Sequence, residues 1–297
     1  MSVDLLVLDL DNTVWDWLDA WNASFSAALT AAAQRFGVSS DGLKPLVKAV
    51  HQRHGTSEYP FWIYEIGQLR GAHTPDVFDN LARELRSSAG EPWRMLGLYP
   101  GVRETLTSLA AQGVRLVGFT DSFEYHTRYR LRRTGLDSLL DAVYSPAGHG
   151  IPTYLGDAEK TRLESERAPL AKAIYSTLKD GEVKPDPRVL LDIIIREGGD
   201  PATSACVGDN KLKDVLMAQR AGVADVHAMY GESQHSEAYA LLKEVTHWTP
   251  SLVTSEATAM TPGAVTPSYV LKHGLSELLE MFEFAPFVAR GPNVRGS

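Results

Sequence analysis

The sequence predicts an α/β protein: a doubly wound, mostly parallel sheet with an all-helical domain inserted after its first strand. Three observations carry this expectation. Apolar, strand-like runs alternate with helical periodicity through most of the chain, and such alternation gives crossover connections and a parallel sheet. Several of these runs end in residues that bear chemistry, at Asp9, Asp11, Thr120, Asp121 and Asp209, as in sheets that bind ligands beyond the carboxyl ends of their strands. Between residues 14 and 98 the alternation stops and only helical spacing is found.

The first strand lies in "LLVLDLD", residues 5–11. Side chains at i and i+2 of a strand share a face, so Asp9 and Asp11 point at one spot just past its end. Two crowded anions repel unless a cation or a shared proton relieves them. Next, Leu18, Trp21, Phe25, Ala28, Leu29, Ala32 and Phe36 recur at helical spacing, with Gly37 as a stop. Thr74 as N-cap and Pro75 at the first helical position open a further helix. Residues 14–98 therefore read as a small helical domain, and 1–13 with 99–297 as the core. In that core, Val102, Leu106 and Leu109 mark a helix before the strand "VRLVGFTD" at 114–121. Val189, Leu190, Ile193 and Ile194 mark another before "ACVGD" at 205–209, followed by "ADVHAMY" at 224–230 and "SYVLKH" at 268–273. Residues 146–182 carry Pro and Gly early and a polar helical pattern near 158–178, and read as an extra insertion. From about 285 the chain is rich in Pro and Gly and reads as an irregular appendage.

Composition narrows the function. A chain of 297 residues can bury a substantial core in one large domain or two. A net charge of −8 argues against a general nucleic-acid binder. Cys206 is the single cysteine, which excludes an intrachain disulfide and a cysteine cluster for zinc. No apolar run reaches 18 residues, and no charged leader precedes an apolar core. A strand beginning at residue 3 also leaves no room for a cleaved signal, so the expectation is a cytoplasmic protein without a membrane partner. Nothing in the sequence fixes an oligomeric state.

Four short stretches, in order, spell out a family: "DLDNT", "GFTDS", "VKPDP" and "VGDNKLKD". Together they resemble the haloacid dehalogenase-like hydrolase superfamily, with its D-x-D-x-T, a Ser or Thr ending the second strand, a Lys often followed by Pro, and G-D-x-x-x-x-D. The resemblance covers residues 1–13 and about 99–285, and the helical insert matches the family's first-position cap in location only. Asn12 stands where the family often has Gly, and Asn also tolerates left-handed backbone.

The chemistry implied is phosphoryl transfer. Two carboxylates cannot approach a phosphate unaided, so a divalent cation is expected, and Mg²⁺ takes hard oxygen ligands. Asp9 and Asp209 are the natural side-chain ligands, and the resemblance adds the backbone carbonyl of Asp11. Asp214 either reaches the metal's waters or holds the lysine. Asp9 then acts as nucleophile on phosphorus, forming an aspartyl-phosphate. Asp11 protonates the leaving oxygen and later deprotonates water. Thr120, with Asp121 and the backbone beside it, contacts the phosphoryl oxygens, and Lys184 offsets their charge. The expectation is a Mg²⁺-dependent phosphatase for a small phosphorylated substrate, with a phosphomutase and a catalytically silent binding module as alternatives. Asp11 speaks against a dehalogenase, because an acid–base carboxylate suits an oxygen leaving group.

Other features read as structural. Helical spacing splits the arginines of "RYRLRR", 128–133, between faces, which suits a solvated helix. Asn210 and Lys211 start a helix and read as capping and solvated. His51, Arg53, His54, Tyr59 and Trp62 read as packing and surface of the helical domain. Trp15 and Trp17 either wall the site or pack the insert.

Overall fold

The structure is a computed structural model that describes residues 1–290 apart from 72, 166–167 and 235. Its chain divides into two compact units, one of residues 1–16, 97–232 and 255 onward, the other of residues 17–96 and 233–254.

The first unit carries a parallel sheet of seven strands among the described residues. These are β1 (Leu5–Leu8), β2 (Arg115–Phe119), β3 (Ala142–Pro146), β4 (Ile174–Leu178), β5 (Ser204–Gly208), β6 (Ala224–Ala228) and β7 (Tyr269–Leu271). Their spatial order is β4-β3-β2-β1-β5-β6-β7. The chain winds outward from β1 to β4, then returns to lay β5 on the free flank of β1. Strand order reverses at β1, and the crevice beyond the carboxyl ends there is where such sheets bind ligands. Register brings those ends level, with Leu8 opposite both Gly118 and Val207.

Both faces of β1 are covered. Leu5 and Val7 join Val117, Phe119 and Cys206 under the helix Pro187–Arg196, which contributes Val189, Leu190, Ile193 and Ile194. Leu6 and Leu8, which point to the opposite face, are equally buried. Burial on both sides explains a first strand without polar alternation.

Two strands depart from the sequence expectation. β3 was not expected, and β4 lies inside 146–182, so that segment is not wholly an insertion; only Asp157–Ser165 of it is helical among the described residues. β4 is an edge strand with Ile174 exposed and Leu178 buried, and so lacks the apolar run that marks a central strand. Residues 166–167 of the expected polar helix lie outside the described residues. The tail from 285 is irregular but tethered: Ala285 N donates to Val3 O at 3.0 Å, Phe287 N to Gly113 O at 2.8 Å and Arg290 N to Gly198 O at 2.8 Å. The rest of that tail, 291–297, lies outside the described residues.

The second unit is helical. Its long helices are Trp17–Phe36, Ser40–His54, Pro75–Ala89 and Glu237–Val245. Gly37 ends the first at a φ of 66°, which Gly adopts without steric cost. Segment 233–254 belongs to this unit, although nothing in its periodicity detaches it from 99–297. Ala238, Tyr239, Leu242 and Val245 bury one face of its helix. His51 Nδ1 donates to Val245 O at 2.7 Å, and Lys44 pairs with Glu244 at 2.7 Å. Periodicity shows that a face is apolar, not which element it will meet. No helix among the described residues is long and apolar enough to cross a membrane.

Candidate active site

Past Leu8 the chain stays extended for a step, since Asp9 N still donates to Val207 O at 2.8 Å. It then turns sharply: Thr13 N and Val14 N both donate to Leu10 O, at 3.2 and 2.9 Å. Asn12 takes a φ of 60° in this turn, a left-handed conformation that Asn tolerates. The turn is pressed against Gly231, where a Cβ would stand 1.7 Å from Asn12 O, so only glycine fits.

This turn places Asp9 beside the end of β5. Asp9, Asp209 and Asp214 each offer a carboxylate oxygen, all within 4.8 Å of one another. All three are buried. The buried Lys184 ammonium bridges two of them, donating to Asp9 Oδ1 at 2.5 Å and Asp214 Oδ1 at 2.7 Å. Thr13 Oγ1 donates to Asp9 Oδ2 at 3.2 Å and accepts from Asp209 N at 3.1 Å, tying β1 to β5. Asn210 N donates to Asp214 Oδ2 at 3.1 Å. His227 Nε2 donates to the main-chain oxygen of Asp209 at 3.0 Å, but no side chain among the described residues donates to the Asp209 carboxylate.

Three buried carboxylates thus share one ammonium. Burial pushes the Asp9 carboxyl up to about 7 against the pull of Lys184, with Asp214 and Asp11 adding to the rise. Burial, then Asp9 and Asp214, hold Asp209 well above the usual carboxylate range. Burial disfavours the Lys184 charge, yet Asp214, Asp9 and Asp121 outweigh it and raise that group well above its ordinary value. An uncompensated cluster of hard oxygen donors fits a divalent cation of the Mg²⁺ or Ca²⁺ kind, not one that favours sulfur or imidazole.

Asp11 has partners of its own. Its Oδ1 accepts from Trp15 Nε1 at 2.7 Å and from Arg130 Nη1 at 3.0 Å, and its Oδ2 faces Thr120 Oγ1 at 3.5 Å. Arg130 is 1 % exposed, which corrects the expectation of a solvated "RYRLRR" helix. Thr127, Arg130, Leu131 and Thr134 form the buried face of Glu124–Thr134. Their i, i+3, i+4, i+7 spacing was the available signal, and the charge of the stretch masked it.

The remaining candidates divide. Thr120 directly follows β2, and its Oγ1 accepts from Ser122 N at 3.0 Å. Asp121 is a tether: its Oδ1 accepts from Lys184 N at 3.0 Å and its Oδ2 meets Lys213 Nζ at 2.7 Å. Burial works against the Asp121 charge, but Lys213 and Lys184 hold its carboxyl below the usual range. Asn210 Oδ1 caps Leu212 N and Lys213 N, both at 3.0 Å, yet its side chain is buried and donates to Glu256 at 2.7 Å. Trp15 hydrogen-bonds the site acid, whereas Trp17 donates to Glu58 at 2.8 Å within the helical unit. In that unit Arg53 and His54 both hold Glu65, at 2.8 and 2.7 Å.

Comparison with known proteins places the chain in a family. A phosphoglycolate phosphatase of Pseudomonas putida strain KT2440 is 26 % identical over 268 residues, covering 89 % of this chain and 80 % of that protein. A phosphoglycolate phosphatase of Rhodospirillum rubrum is 27 % identical over 236 residues, covering 77 % of this chain and 80 % of the other. Among solved structures, a HAD phosphatase from Thermococcus onnurineus has the same fold at a TM-score of 0.52, with 19 % identity over 95 % of this chain and 97 % of that one. The family model described as haloacid dehalogenase-like hydrolase matches residues 3–222, which takes in the turn after β1, Thr120, Lys184 and the end of β5. With the strand order, the acid cluster and the family match in agreement, the chain belongs to the haloacid dehalogenase-like hydrolases.

Proposed function

We propose that the protein is a Mg²⁺-dependent phosphatase that hydrolyses a small phosphomonoester through an aspartyl-phosphate on Asp9. One observation carries this reading. Asp9 stands at the strand-order reversal, beside Lys184 and within reach of Asp209 and Asp214, with Asp11 two residues on. Asp9, Asp209, Asp214 and the Asp11 carbonyl would hold the cation, which when bound neutralises the carboxylates and polarises a phosphoryl oxygen.

The chain's own groups account for the chemistry. An Asp9 carboxylate oxygen bonds to phosphorus as the bond to the leaving oxygen breaks, and Asp11 supplies the proton which that oxygen takes up. Water then attacks the phosphoryl group, Asp11 accepts its proton, and free phosphate departs as Asp9 is restored. Lys184 and Thr120 hold the phosphoryl oxygens and offset their charge. Asp214 holds Lys184, and Asp121 holds the main chain that carries it.

The names of the two relatives make phosphoglycolate, a phosphorylated carboxylic acid, the first substrate to test. Phosphate release from it should vanish with EDTA and return with Mg²⁺, whereas Ca²⁺, with its looser coordination, should restore little. Full release in chelator would contradict the reading. An isomerised sugar phosphate in place of free phosphate would show a mutase instead.

A further inference from the structure

We infer that Arg130, aided by the Trp15 indole, is a positioning residue that fixes the carboxylate of Asp11 for proton transfer. The inference rests on the proposed role of Asp11 as general acid and base. Both N–H donors fall on the same oxygen, Oδ1, from different directions in the chain. Held there, the carboxylate cannot swing freely about its last torsion, and Oδ2, which faces Thr120 Oγ1 at 3.5 Å, is assigned as the atom that exchanges the proton. That proton passes from Oδ2 to the leaving oxygen as the P–O bond breaks, and a proton of the attacking water returns to Oδ2.

Arg130 meets the site at the Asp11 carboxylate, so it acts through Asp11. The same Nη1 also donates to Ser122 Oγ at 3.0 Å, and Ser122 N donates to Thr120 Oγ1 at 3.0 Å. Asp11, Arg130, Ser122 and Thr120 therefore close a ring. It locks the acid–base carboxylate to the residue that faces the phosphoryl group across the ends of β1 and β2. A buried guanidinium is costly unless it is paired, so a helix that merely needed packing would carry an aliphatic residue here.

The test is a double-mutant cycle in the full chain, with phosphoglycolate as a poor leaving group and 4-nitrophenyl phosphate as a good one. The first chemical step is read as the burst of released alcohol or phenol. Arg130→Gln should slow that step for phosphoglycolate by about 10²-fold, the scale of a misplaced catalytic group, with KM little changed. The nitrophenyl ester should suffer far less, because its leaving group needs no proton. In an Asp11→Asn background, Arg130→Gln should add almost nothing. Arg130→Lys should recover part of the loss, and Trp15→Phe, which keeps the ring and removes one donor, should show a milder version of the same leaving-group dependence. If Arg130→Gln does not fold by circular dichroism, Trp15→Phe carries the test alone. Equal losses on both substrates, or an undiminished further loss in the Asp11→Asn background, would overturn the inference and leave the acid–base reading standing. Equal losses on both substrates in Asp11→Asn itself would overturn both.

Discussion

A Cβ at position 208 would stand 2.2 Å from the carboxyl carbon of Asp214. That carboxyl cannot step aside freely, because Lys184 and Asn210 N hold its two oxygens. Gly208→Ala should therefore push Asp214 away, loosen Lys184 from Asp9, and lower kcat by about 10²-fold, the loss that a displacement of about 1 Å brings. Overpacking should also cost about 1–3 kcal/mol of stability, read by chemical denaturation. Wild-type kcat in a folded Gly208→Ala protein would separate Asp214 from the chemistry. Asp9, Asp11, Lys184 and Asp209 were legible in the sequence because each stands at a strand end or beside a proline in a recognisable order. Arg130 was not, since its partner is 119 residues away and its neighbours in the chain are charged. Trp15 was ambiguous for a related reason: an indole's hydrogen bond leaves no mark on local periodicity.

Elements were legible where burial imposes a pattern. β1, β2 and β5 lie mid-sheet and show as apolar runs, whereas edge strand β4 exposes Ile174 and Thr177 and reads as something else. The helix Ser40–His54 shows how a buried polar contact helps to pin an element. His51 is buried with its Nδ1–H on Val245 O, and burial lowers its pKa from 6.5 to about 4, against the smaller raising effect of that hydrogen bond. Between those values the unfolded chain binds the proton and the folded unit does not. Stability from the neutral His51 is thus full above pH 6.5 and lost as pH falls toward 4. The whole gap is worth about 3 kcal/mol. Denaturation midpoints measured from pH 7 to 4 should fall, and His51→Phe should flatten that slope. An unchanged slope in the variant would assign the acid sensitivity to other groups.

At the scale of the whole molecule, the strand order concentrates the chemistry. β1 sits at the reversal, so residues from both halves of the sheet converge past its end: Thr120 and Lys184 from one flank, Asp209 and Asp214 from the other. Strand alternation made the parallel sheet legible, but the order of its strands depends on pairings between distant segments. Membership of 233–254 in the helical unit depends on such long-range contacts as well. The central claim is that this convergence makes Asp9 a phosphoryl acceptor. The direct measurement is a rapid acid quench of the Asp11→Asn protein turning over 4-nitrophenyl phosphate, followed by mass analysis of the peptide holding Asp9. Loss of the base that activates water should let the intermediate build up, so that peptide should carry one phosphoryl group, formed in step with a burst of nitrophenol. A burst without that adduct, or an adduct that persists in Asp9→Asn, would contradict the account.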